Sequence, residues 1–252
     1  MALSLAGRQF SPPWWATLGT AAALGACVAL GFWQLDRGRQ KQALIEEFRR
    51  GSDASVVLTG TVDDLPRYQH VIVRGRLDGA RHLLLDNMPS SRGTPGYRVL
   101  TPLRRTGSRT LLVDRGWVPL GASREELPAV GIEGAGSVQQ LSGRLDELPR
   151  PGLRLGEAQA PGAQGWPRVL NFPTQADVEA VLGEPVESRI LLLDPAAGDG
   201  FERAWRPSLG FGPERHLGYA IQWFALGLAV LVAYLALNLS RRPASDAMEH
   251  RR

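Results

Sequence analysis

Two stretches decide how this chain is organised: Trp14 to Leu35, WWATLGTAAALGACVALGFWQL, and Leu217 to Ser240, LGYAIQWFALGLAVLVAYLALNLS. Neither holds a charged side chain. As helices rising ~1.5 Å per residue they reach about 33 and 36 Å, against a hydrocarbon core of ~30 Å. A lone segment in lipid satisfies its own backbone only as a helix, so both read as transmembrane helices. Ala21, Gly25 and Ala29 in the first run, and Ala225, Ala229 and Ala233 in the second, recur at four-residue spacing. Such stripes either let helices approach closely or reflect a common residue.

Leu24-Gly25-Ala26-Cys27 looks like the sequence before a lipidated cysteine. Apolar residues nevertheless run on to Leu35, which favours an uncleaved anchor over a signal peptide. Cys27 is the sole cysteine, so the chain forms no internal disulfide and has no Cys-x-x-Cys-His haem attachment site.

Working outward, residues 1–13 form an N-terminal tail, 36–216 an extramembrane domain with a linker at 195–213, and 241–252 a basic C-terminal tail. The net charge is +4, yet residues 36–216 carry 24 Lys and Arg against 23 Asp and Glu. That balance leaves no basic field for a nucleic-acid backbone.

Short runs rich in Val, Leu, Ile and Tyr dominate the domain: Val56 to Val62, Tyr68 to Leu77, His82 to Asp86, Tyr97 to Leu103, Thr110 to Val118, Val138 to Leu145 and Ser188 to Leu193. Val71, Val73 and Gly75 alternate with Ile72, Arg74 and Arg76, giving one apolar and one basic face. Thr174 caps an expected helix that stops at Gly183. Glycine- and proline-rich loops are expected at 121–136, 149–167 and 195–213. The fold class is α+β: two transmembrane helices flank a mainly antiparallel β barrel or sandwich with one short helix.

Common nucleotide, zinc-protease and serine-nucleophile motifs are absent, which argues against an enzyme. Asp114 beside Arg115, and Asp86 at another strand end, read more readily as structural ion pairs than as catalytic groups. His70 and His82 read as ordinary sheet residues, and His250 lies in the tail. His216 stands at the mouth of the second anchor, where His216, Tyr219 and Trp223 fall within about 60° of one another on a helix. This face is either an interfacial aromatic belt with a snorkelling imidazole, or an axial haem-iron ligand walled by aromatic rings with arginines for the propionates. The first anchor ends similarly at Trp33, Gln34 and Arg37, so Gln34 and Gln222 could bond across the pair, with Arg37, Arg39 and Arg215 ringing the mouth.

Four blocks carry a resemblance. They are Leu30 to Arg37 (LGFWQLDR) with Lys41, Leu44 and Ile45; Gly96 to Leu103 (GYRVLTPL); Leu112 to Pro119 (LVDRGWVP); and Pro213 to Phe224 (PERHLGYAIQWF). In this order, between two anchors, they resemble the surfeit locus (Surf/Shy) family of cytochrome c oxidase assembly factors. The resemblance implies a non-enzymatic factor that receives haem a without a covalent bond and helps insert it into the catalytic subunit. His216 is then the iron ligand, with Tyr219, Gln222, Trp223, Trp33, Gln34, Arg37 and Arg215 around the cofactor. Expected partners are the oxidase catalytic subunit, haem a synthase and the lipid bilayer. The rival reading is a cofactor-free scaffold that steadies an oxidase subunit. A membrane-bound hydrolase using Asp86 or Asp114 is a distant third.

Loop charge conflicts over orientation, because both the C-terminal tail and the cluster after the first span are basic. The family implies cytoplasmic termini and a periplasmic β domain at a bacterial inner membrane, or an intermembrane-space domain in a mitochondrion.

Overall fold

The computed structural model describes residues 3–5, 8–51, 54–90, 92–121, 123–124, 126–132, 135–149, 165–207 and 211–241. Most of the expected loop at 149–167, and the tail beyond Arg241 with His250, lie outside them. The chain divides into two units, residues 1–44 with 209–252, and residues 45–208.

The first unit is a helix pair. Helix α1 runs Trp14–Arg50 and helix α3 Pro213–Asn238, and both are long and apolar enough to cross a membrane. Helix α1 continues past the uncharged run because its charged stretch is internally bonded. Gln40 donates to Asp36 at 2.8 Å, Arg37 to Gln40 at 3.0 Å and Arg49 to Glu46 at 2.5 Å, each one helical turn apart. Helix α3 opens with Pro213 in its first turn, where a missing N–H costs nothing.

Within this unit the helices pack antiparallel. The Thr17 and Tyr234 hydroxyls are 2.7 Å apart, Cys27 faces Gly227, and Gly31 faces Phe224. Cys27, Gly31, Ala220 and Gly227 are buried, whereas Ala21, Gly25, Ala29, Ala225, Ala229 and Ala233 are all exposed. Alanine spacing therefore does not mark the seam. The close approach comes instead from glycine: a Cβ at Gly31 would stand 2.5 Å from the Phe224 ring. The outward faces carry Leu18, Val28, Phe32, Leu228 and Val232, as contact with lipid tails requires.

Three short strands cap the pair. β1 (Leu3–Leu5), β2 (Arg8–Phe10) and β11 (Leu239–Arg241) form an antiparallel sheet in the order β1-β2-β11. The two tails thus meet at one end of the pair, an arrangement no apolar pattern in the sequence announces.

The second unit is one eight-stranded sheet with a short helix. Its strands are β3 (Ser55–Val57), β4 (His70–Leu77), β5 (Leu83–Leu85), β6 (Gly96–Arg104), β7 (Thr110–Pro119), β8 (Val138–Asp146), β9 (Arg168–Leu170) and β10 (Val186–Leu193). Their order is β3-β4-β8-β10-β7-β6-β5-β9, with an added pairing of β4 to β6. Most neighbours are antiparallel, and three pairs (β3/β4, β7/β10 and β5/β9) are parallel.

Residue alternation divides the core between the sheet faces. Leu111, Val113, Leu191 and Leu193 join Val71, Val73 and Leu145 in one cluster. Leu112, Ile190 and Leu192 join Leu83, Leu85 and Leu100 in the other. Helix α2 (Gln175–Leu182) covers the second cluster with Val178 and Leu182. Its start is fixed by a capping box between Thr174 and Asp177, and Gly183 ends it in the left-handed conformation.

Candidate functional site

Gln34 and Gly38 stand one turn apart on α1, and His216 lies in the first turn of α3. The His216 Nδ1 and Gln34 Oε1 atoms are 2.8 Å apart. A carboxamide oxygen only accepts, so Nδ1–H is the donor, and in the neutral ring the lone pair then lies on Nε2. Such a bond fixes both the tautomer and the plane of an imidazole, as the outer partners of metal-bound histidines do. Gly38 stands beside His216: a Cβ there would rest 3.5 Å from His216 Cβ and 3.6 Å from the Pro213 carbonyl, ordinary van der Waals contact. The sequence reading gave Gly38 no role, although its spacing from Gln34 was the available signal.

The remaining candidates are distributed as follows. Trp223 is half-buried, while Tyr219 and Trp33 are about half exposed, at 48% and 52%. The Arg37 guanidinium lies 5.8 Å from the Trp33 ring centre, and that of Arg215 lies 5.0 Å from Phe211. Gln222 faces outward, so the expected glutamine pair does not form; Gln34 bonds to His216 instead. The structure therefore brings His216 and Gln34 together, with aromatic rings and guanidiniums carried on the same two helix ends. Such a set suits a flat apolar group bearing a metal and carboxylates.

The Asp and Arg candidates of the sheet serve packing. Asp114 is fully buried and pairs with Arg98, not with its neighbour Arg115. Arg115 turns away to donate to the carbonyls of Asp199, Val130 and Gly131 at 2.7, 2.7 and 3.0 Å. Asp86 pairs with Arg124. His82 is buried, with Nδ1 2.9 Å from the Thr101 hydroxyl. His70 has Ser55 at 2.8 Å from Nδ1 and Asp194 at 3.0 Å from Nε2, partners 15 and 124 residues away that no local spacing could flag.

The second and third sequence blocks thus become β6 and β7, paired from Gly96↔Pro119 to Leu103↔Leu111, while the first and fourth become the facing ends of α1 and α3. The SURF1 family model matches residues 21–228, which takes in all four blocks.

The chain belongs to the SURF1 family. This family is linked to cytochrome c oxidase assembly. A SURF1-like protein of Rickettsia conorii is 20% identical over 217 residues, covering 82% of this chain and 85% of the relative. One from Rickettsia felis is 28% identical over 91 residues, 36% of this chain and 40% of the relative's length. The SURF1 match agrees with the two candidate membrane helices flanking a sheet domain.

Proposed function

We propose that this SURF1 family member is an assembly factor for a haem-copper cytochrome c oxidase that holds haem a at His216 and helps deliver it to the catalytic subunit. The observation carrying this reading is the Nδ1–H bond from His216 to Gln34, which in the neutral ring leaves the free lone pair on Nε2. Haem a is cargo here, and its iron supplies the redox centre of the finished oxidase. Gln34 orients the imidazole, Trp223 and Trp33 offer aromatic faces, and Arg37 and Arg215 offer cations for carboxylates. Among the described residues of the helix pair His216 is the only histidine, so one axial bond from this chain leaves the cargo releasable. The same reading puts both termini in the cytoplasm and the sheet domain in the periplasm, with the catalytic subunit and haem a synthase as partners.

The test is the absorbance spectrum of full-length protein purified in detergent from a host that makes haem a. Wild type is expected to carry haem, His216→Ala to lose it, and Gln34→Leu to bind it about 10- to 100-fold more weakly. An unchanged spectrum from His216→Ala refutes the assignment. Wild type without haem that still co-purifies with the oxidase from a haem-deficient strain would instead mark a cofactor-free scaffold.

A further inference from the structure

Strand β4 is paired along one side throughout, by β8 from His70 to Arg76. Along its other side it is paired only at the ends. β3 covers His70 to Ile72 in parallel, and β6 covers Arg76 and Leu77 antiparallel. Two bonds give the direction of the main-chain groups: Leu58 N–H donates to Ile72 O, and Asp78 N–H to Pro102 O, both at 2.8 Å. Within a strand the N–H and C=O of one residue point to the same side and alternate with the next residue. The even-numbered residues of β4 therefore face this side. Ile72 meets β3 and Arg76 meets β6, but the main-chain groups of Arg74, between them, meet no strand residue on this side among those described, while its side chain donates to Gln140 of β8 at 3.1 Å.

Around this notch is a cleft of about 480 Å³ with Val57, Arg74, Arg76, Arg104 and Val138 in its walls and no acidic residue. Arg76 and Arg104 are directly opposed across β4 and β6. Like charges in that position repel, and the fold compensates only one of them. Arg104 reaches Glu184 at 3.1 Å and Asp78 at 3.2 Å, whereas among the described residues no carboxylate pairs with Arg74 or Arg76. Val57 and Val138 stand 64% and 61% exposed.

We propose that this notch binds a short acidic segment of another protein, which adds to β4 as a fragment of strand. The main chain selects a peptide over a simple anion. A phosphate would accept from the Arg74 N–H and leave its C=O unmet, whereas a peptide backbone supplies both an acceptor and a donor at strand spacing. Carboxylates on alternate residues meet Arg74, Arg76 and Arg104, and their methylene stems lie against Val57 and Val138, which stand on the same sheet face. With one residue of β4 left open, the paired core is roughly three residues long. This site is separate from the His216–Gln34 pair, and the proposal stands independently of haem.

The probe is fluorescein-labelled Glu-Val-Glu-Val-Glu, added to full-length protein in non-ionic detergent and followed by fluorescence anisotropy. Saturable binding is expected that Lys-Val-Lys-Val-Lys does not show. Arg74→Gln and Arg76→Gln should each weaken it about tenfold with an unchanged thermal midpoint, since both side chains are exposed. Methylating the central peptide nitrogen should weaken it again. Binding that persists in the double variant overturns the proposal. So does an N-methylated peptide that binds as well as its parent and is displaced by millimolar inorganic phosphate, which would make the cleft an anion site only.

Discussion

Replacing Asp114 by Ala should destabilise the sheet domain far more than replacing Asp114 and Arg98 together. The Asp114 side chain is wholly inaccessible and that of Arg98 is 21% exposed. Burial pushes the Asp114 carboxyl above its usual range, and the Arg98 guanidinium only partly offsets this. The pair as a whole therefore adds no net stability, yet either charge left alone is costly. Breaking a buried pair costs about 3–5 kcal/mol. The lower end applies here, because Arg98 keeps some solvent and the face of Trp205, 5.0 Å from its guanidinium. Losing the 3.0 Å bond from Gly116 N–H to Asp114 adds about 1 kcal/mol. For a domain of this size, a loss of about 3–4 kcal/mol lowers the midpoint by roughly 6–16 °C. Removing both charges, as Arg98→Met with Asp114→Ala, should recover at least about 1 kcal/mol of that loss. Thermal melts of the full chain in detergent, followed by tryptophan fluorescence, measure both. A double variant as unstable as the sum of the singles would refute the argument, because coupling between the two charges would then be absent.

Three further outcomes follow from the geometry. A Cβ at position 227 would lie 3.2 Å from Cys27 Cβ, close to disulfide spacing, so Gly227→Cys should cross-link to Cys27 on mild oxidation, and Gly31→Leu should slow this by driving Phe224 off α1; gel mobility reads both. Burial first, then the nearby Asp146 carboxylate, pushes the Tyr68 phenol up to about 12. The unfolded chain ionises near pH 10, so roughly 2–3 kcal/mol held below pH 10 should be lost between pH 10 and 12, and Tyr68→Phe should flatten that slope in pH-dependent melts. Burial, with the Arg115 charge, holds His82 below its ordinary value. The unfolded chain then takes up a proton that the folded one refuses, so stability should fall as pH drops below about 6.5, and His82→Gln should remove that component of the acid slope.

What the sequence disclosed follows from which constraints are local. Uncharged length is local, so both anchors were legible, as were α2 with its Thr174 cap and seven of the eight strands of the sheet, although β3 ends at Val57 and not at the expected Val62. β9 was not, because Arg168–Leu170 is three residues long and held by parallel pairing to β5, a contact across some 85 positions. The helix seam stayed undecided for a similar reason. Alanine spacing nominates many faces, and only the ring of Phe224 against Gly31 selects one. At the candidate site, His216 and Gln34 were each legible from their place at the end of an apolar run. Their bond was not, because it joins residues 182 apart and competes with the equally plausible pairing of Gln34 with Gln222.

The four sequence blocks therefore fall into two physical classes, and the classes separate by assay. Gly96 to Leu103 and Leu112 to Pro119 are adjacent strands whose polar residues, Arg98 and Asp114, face each other in the core. Substitutions there act through folding, so they should lower the amount of protein in the membrane. Gln34 and His216 are only half-buried, and they join two helices already held by the Cys27, Gly31, Phe224 and Gly227 contacts. Losing one such bond costs about 1 kcal/mol, too little to empty the membrane of protein. An oxidase defect with normal protein abundance thus points to the helix ends, and one with reduced abundance points to the β6–β7 hairpin.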